Sequence, residues 1–196
     1  MLDLRTMEAN RFAEEQRPAD KEKTKAGSTV SRLDLSFSGY EQNCLFHNLG
    51  DGTFQEIGSV AGAGRMEDGR GFAVFDFDQD GDLDIVLRSM PPHSLMLLRN
   101  DVGNRRGWLR LKLIGTKSNR DAVGARVKIE TPRVQQLRQV SLGEGYLSGQ
   151  SRVLHFGLDD ARAAKVRVTW PSGLVQEIES LAGNRLWTIE EGGAPK

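Results

Sequence analysis

Apolar runs with a two-residue period, cut by glycine-bearing turns about every ten residues, limit what this chain can fold into. Leu109-Leu111-Leu113, Ala125-Val127-Ile129 and Val166-Val168-Trp170 each alternate with polar or basic residues. Leu33, Leu35 and Phe37 alternate in the same way with Arg32, Asp34 and Ser36. Less regular apolar runs occupy 71–76, 83–88 and 94–99. Between the runs stand Leu49-Gly50-Asp51-Gly52, Asp80-Gly81, Gly115–Asn119, Gly143-Glu144-Gly145 and Pro171-Ser172-Gly173. The 22 glycines in 196 residues therefore belong to turns, and six prolines without a period exclude a collagen-like repeat. The expectation is an all-β protein.

Zero net charge conceals a division along the chain. Residues 51–90 hold nine acids and three bases, whereas 101–140 hold three acids and ten bases. Such a balance argues against nucleic acid as a bulk electrostatic partner. The single cysteine, Cys44, excludes an internal disulfide framework and reads as a small buried hydrophobe within Cys44-Leu45-Phe46. No apolar run approaches the length of a transmembrane helix, and residues 1–18 lack the uncharged apolar stretch of a signal peptide. Residues 1–29 read as an arm, flexible or docked on a partner. Leu4, Met7, Phe12 and Ala13 form a weak helical stripe that ends at Pro18.

The densest chemistry lies in Asp76-Phe77-Asp78-Gln79-Asp80-Gly81-Asp82-Leu83-Asp84, with five carboxylates in nine residues. They repel one another, and apolar runs anchor the segment at both ends. Side chains at the first, third and fifth positions before a glycine turn converge on one point, which suits a hard cation. An EF-hand loop begins in this way but needs a bidentate Glu at its twelfth position, where this chain has Leu87. Asp84 is therefore expected to close the site, with the main-chain carbonyl of Asp82 as a fifth ligand. An all-oxygen protein ligand set favours Ca2+ over Mg2+.

With these residues in view, Gly71–Leu87 resembles an FG-GAP (VCBS-type) repeat, whose calcium loop has the same Asp spacing between two strands. The segment from Asn43 to Phe54 is similar to the strand pair that precedes it in such repeats. The resemblance implies side-chain ligation by Asp76, Asp78, Asp80 and Asp84 and main-chain ligation by Asp82. Further along, Ser118–Val127, Gly143–Ser148 (GEGYLS), Leu154–Leu158 and Trp170-Pro171-Ser172-Gly173 occur in order. Together they resemble the ASPIC/UnbV domain of the cartilage acidic protein family and its bacterial relatives. This sequence departs from the family at Gly149-Gln150, where Gln-Ser more often follows GYLS. The implied architecture is a single antiparallel FG-GAP blade-like unit with a calcium loop, packed next to a C-terminal antiparallel β-sandwich. Its divisions are an arm at 1–29, the repeat unit at 30–104, the sandwich at 105–192 and a tail at 193–196. Family members close a propeller from several repeats; one blade cannot bury both faces and needs the sandwich, the arm, a second copy or another protein.

No catalytic constellation accompanies these motifs. His47, His93 and His155 lie far apart, Ser172 sits in a Pro-Ser-Gly turn without a nucleophile elbow, and neither Gly62-Ala63-Gly64 nor Gly143-Glu144-Gly145 continues to a dinucleotide fingerprint. The basic residues from Arg105 to Arg138, Arg110 and Lys112 among them, read as a solvated sheet face or as a patch for an acidic partner. Trp108, Trp170 and Trp187 read as core residues or, alternatively, as stacking platforms for a glycan. The expected function is a calcium-stabilised, non-enzymatic protein-interaction or adhesion-type module, with a protein partner or second copy. Alternatives are a glycan-binding module, a structural subunit of a larger assembly, or an enzyme or accessory factor of secondary metabolism, the last implied only by the UnbV name. The resemblance favours an extracytoplasmic location.

Overall fold

The structure, a computed structural model, describes residues 4–7, 41–90, 95–146 and 148–196. The run at Leu33–Phe37, His93 and most of the proposed arm lie outside the described residues. The described chain is nearly all β, as its period-two runs require.

The larger core lies between two sheets. One contains β7 (Gly107–Ile114), β10 (Leu154–Asp159) and β13 (Arg185–Glu190) in the order β10-β7-β13. The other contains β8 (Arg126–Glu130), β9 (Gln135–Gln139), β11 (Ala163–Thr169) and β12 (Val175–Ala182) in the order β12-β11-β8-β9. Alternation puts Leu109, Leu111 and Leu113 of β7 inward, facing Val127, Ile129, Val166 and Val168 from the opposite sheet. Phe156 and Trp170 fill the same core. Each such side chain contributes about 1.5–3 kcal/mol by leaving water, so this sandwich holds the main hydrophobic stabilisation of the described chain.

One pairing departs from the all-antiparallel expectation. β13 runs parallel to β7, from Arg185 beside Leu109 to Glu190 beside Ile114. A hairpin would force antiparallel pairing, but β13 arrives from the opposite sheet after β12, so no hairpin fixes its direction. Asn184 starts the ladder: its N–H donates to the Trp108 carbonyl at 2.6 Å, and its Oδ1 accepts from the Trp108 N–H at 3.2 Å.

The second unit is a sheet of β4 (Gly69–Phe75), β5 (Asp84–Ser89), β6 (Leu95–Asn100) and β1 (Leu4–Met7) in the order β1-β6-β5-β4. Leu4–Met7 is extended and pairs antiparallel with β6, so the helical stripe expected there is replaced by an added edge strand. A small hairpin of β2 (Phe46–Asn48) and β3 (Phe54–Glu56) leads to a one-turn helix, α1 (Gly58–Ala61). Its apolar cluster of Ala61, Ala63 and Leu98, with Leu45, Ile57 and Ile85 against it, is far smaller than the sandwich core. Phe46 and Phe54 are about 60% exposed on the hairpin, at 60% and 62%. Cys44 is also exposed, contrary to its sequence reading, since none of the described residues covers it.

The repeat sheet and the sandwich meet along β4. As an edge strand, β4 has ladder groups to satisfy. The N–H of Phe72 donates to Ser148 Oγ at 3.0 Å, and that of Val74 donates to Gln150 Oε1 at 2.7 Å. The segment that carries Ser148 and Gln150 thus caps the blade's edge.

Candidate metal centre

The acidic loop joins β4 to β5. Phe75 is paired with Asp84 at the closed end of that ladder, so the strands bring the first and last aspartates together. Oxygens of Asp76, Asp78 and Asp84 all lie within 4.8 Å of one another. Asp84 is fully buried; its Oδ1 accepts from the Asn100 N–H and its Oδ2 from the Phe77 N–H, each at 2.8 Å. Asp76 is buried at its side chain, and its Oδ2 accepts from Arg110 Nη1 at 2.6 Å and from the Gly81 N–H at 3.1 Å. Its Oδ1 is buried with no hydrogen-bond partner among the described residues.

Asp80 and Asp82 are held differently. Asp80 Oδ1 accepts from the Asp82 N–H at 3.1 Å, and its Oδ2 from Asn104 Nδ2 at 2.5 Å. Asp82 Oδ2 accepts from the Asn104 N–H at 2.9 Å, while its Oδ1 is buried with no partner among the described residues. The loop therefore gathers Asp76, Asp78 and Asp84 and turns the carboxylates of Asp80 and Asp82 toward the turn Gly103–Arg105 that leads into β7.

Electrostatics sharpen the picture. Burial, opposed by the Asn104 hydrogen bond and aided by the charges of Asp80 and Asp84, pushes the Asp82 carboxyl up to about 7. Burial likewise raises that of Asp84 against the Asn100 and Phe77 hydrogen bonds. A hard cation would supply the missing counter-charge and occupy the unpartnered Asp76 oxygen. The donor set, entirely oxygen, fits such an ion.

Sequence reasoning missed the groups that face the loop from the sandwich. Arg110 is one, and Trp108 is another: the indole lies against Gly81, whose φ of +102° leaves no room for a Cβ beside it. Arg110 stands 4.9 Å from the Trp108 ring centroid, and His155 stacks on the same ring with centroids 6.3 Å apart. An available signal was the alternation itself, since Trp108 shares the outward face with Arg110, and an outward tryptophan marks a face that something covers. The acidic partner of this part of the basic stretch is thus the chain's own loop.

The other sequence candidates have plain surroundings. His47 lies on the exposed β2, and the His155 Nδ1 is buried with no hydrogen-bond partner among the described residues. Burial, with the charges of Arg138 and Arg110, lowers the His155 imidazole to about 4, so it is neutral at pH 7. Ser172 donates its hydroxyl to Glu191. Asn119 closes its own turn through two 2.9 Å bonds to the Val123 backbone. Trp170 is a core residue, while Trp108 and Trp187 are half-buried.

Comparison with known proteins gives two family matches in the order of the motifs. Residues 31–87 match the FG-GAP-like repeat, and residues 115–196 match ASPIC and UnbV. The chain is 40% identical over 111 residues to cartilage acidic protein 1 of Xenopus tropicalis, covering 55% of this chain and 17% of that protein. It is 36% identical over 148 residues to cartilage acidic protein 1 of Homo sapiens, covering 71% of this chain and 22% of that protein. The chain spans about a fifth of the length of these curated relatives, and its resemblance to both families holds.

Proposed function

We propose that this chain is a calcium-braced, non-enzymatic interaction module that works outside the cytoplasm. The observation that carries this reading is the double engagement of the acidic loop. Three of its carboxylates converge with a buried oxygen left over, while the same loop reaches the sandwich through Asp76–Arg110, Asp80–Asn104 and Asp82–Asn104. Asp76, Asp78 and Asp84 would hold the ion from their side chains, with Asp80 and the Asp82 carbonyl completing the set that the FG-GAP resemblance implies. When bound, calcium neutralises the loop and fixes both the β4–β5 hairpin and its seat on β7. The repeat sheet and sandwich then present one rigid surface to a partner. The extracytoplasmic assignment rests on the match to cartilage acidic protein 1 and on the high free calcium such sites require.

A melting curve tests this reading. At free calcium a hundredfold above the dissociation constant, binding stabilises the native state by about 2.7 kcal/mol. The midpoint is expected to rise with calcium and fall with EGTA, and a midpoint indifferent to both contradicts the reading.

A further inference from the structure

The three converging carboxylates of the acidic loop are held by different donors, and two of those donors are cationic. Asp76 Oδ2 accepts from Arg110 Nη1 of β7 at 2.6 Å. Asp78 Oδ2 lies 3.9 Å from Nη1 of Arg99 on β6, whose Nη2 reaches Asp101 at 2.6 Å. Asp84 takes the Phe77 and Asn100 N–H groups instead. Among the described residues, no ion pair holds Asp80, Asp82 or Asp84. The guanidinium groups are thus confined to two of the carboxylates that converge, while Asp80 and Asp82, turned toward Asn104, have neutral donors.

Fixed cations in this position have two effects of opposite sign. Without a bound ion they offset the mutual repulsion of Asp76, Asp78 and Asp84, so the loop can seat on β7 before any metal arrives. Toward a divalent cation they are repulsive. Solvent screens the nearer pair poorly, because the side chains of Asp76 and Arg110 are only 2% and 19% exposed. Three converging carboxylates offset by two guanidinium groups leave one net negative charge to attract the ion. Asp76 also has one oxygen committed: Oδ2 serves Arg110 and the Gly81 N–H, which leaves Oδ1, buried with no partner among the described residues, as its available ligand atom. Calcium affinity follows ligand charge and site rigidity, and so low a charge belongs at the weak end of the range, with dissociation constants of about 10⁻⁴–10⁻³ M.

We propose that Arg110 and Arg99 are resident counter-ions that hold calcium affinity down, so that the site loads and empties in that concentration range while the loop keeps its seat. This role rests on the calcium reading and names the residues that set its affinity. The test is calorimetric titration of the full chain with calcium, beside Arg110→Gln, Arg110→Lys and Arg99→Gln. The parent is expected to bind with a dissociation constant of about 10⁻⁴–10⁻³ M, and a constant below about 10⁻⁵ M overturns the proposal. Arg110→Gln loses the charge but keeps an N–H donor, and should bind calcium about tenfold more tightly. Arg110→Lys keeps the charge and should stay within about threefold of the parent. Arg99 stands farther from its carboxylate and is more exposed. Arg99→Gln should therefore gain about threefold, and should fold even where Arg110→Gln does not. In EGTA, Arg110→Gln should melt below the parent, and saturating calcium should narrow the gap. Equal or weaker calcium binding in both Gln variants makes the arginines positioning groups for Asp76 and Asp78 and overturns the proposal. A gain in Arg110→Lys equal to that in Arg110→Gln overturns it too. The two readings fail separately. No calcium binding by the parent or any variant sinks the metal centre and this role with it, whereas calcium binding by the parent with no gain in either Gln variant sinks the counter-ion role alone.

Discussion

Asp84 and Glu191 are both buried carboxylates, and their surroundings give them opposite behaviour. Asp84 accepts two backbone N–H bonds yet remains hard to ionise because burial outweighs them, whereas Glu191 is held strongly ionised. Burial opposes ionisation of Glu191 as well. It is overcome by the N–H groups of Thr116, Lys117 and Ser118 and the hydroxyls of Ser118 and Ser172, which all donate to its carboxylate and bring it down to about 2. Since its folded value lies below the ordinary 4.5, this contribution to stability is complete above pH 4.5 and vanishes as pH falls toward 2. Glu191→Gln should therefore melt earlier than the parent at pH 7, and the two curves should converge near pH 2 when midpoints are followed against pH. Replacing Asp84 by Ala leaves the Phe77 and Asn100 N–H groups buried without acceptors. Denaturant titration in EGTA should show a loss of about 2–6 kcal/mol in that variant, at about 1–3 kcal/mol for each of the two unsatisfied groups, and a larger loss in calcium.

At the scale of elements, the loop between β4 and β5 is also the joint between the two sheets. Gly81→Ala would drive a methyl group into the Trp108 indole at a left-handed backbone position. The loop should lift from β7, and the expected readout is a shift in tryptophan emission together with faster proteolysis at residues 76–84. The cap on β4 makes a separate prediction. Gln150→Ala exposes the Val74 N–H and the edge beside it, so sedimentation should detect concentration-dependent self-association absent from the parent. Most strands were legible because Leu109, Val127 and Val166 each mark a buried face at period two. The parallel pairing of β13 was not, since direction depends on which sheet the strand arrives from. Arg110 was not recognised as Asp76's partner either, because the two stand 34 residues apart and meet only when β7 passes beneath the loop. The aspartate spacing located the loop but could not show that Asp80 and Asp82 would turn to Asn104.

For the whole molecule, the charge division along the sequence becomes a contact in space: the acidic segment seats on the basic strand that follows it. Coulomb attraction across that seat is strengthened by the burial of Asp76, and removal of one member of such a pair costs about 3–5 kcal/mol. The repeat unit, whose described residues form only a small apolar cluster, relies on this seat and on the cation proposed beside it. The resemblance to FG-GAP repeats suggests the cation, and the loop proposed to hold it is bonded to the sandwich through Arg110 and Asn104. The most direct measurement is calorimetric titration of the chelator-treated chain with calcium, run beside the Asp76→Asn variant. We predict saturable binding of one ion per chain that is abolished or severely weakened in the variant. Absence of binding heat at every temperature tried, together with a calcium-independent melting midpoint, or undiminished binding by Asp76→Asn, would contradict the account.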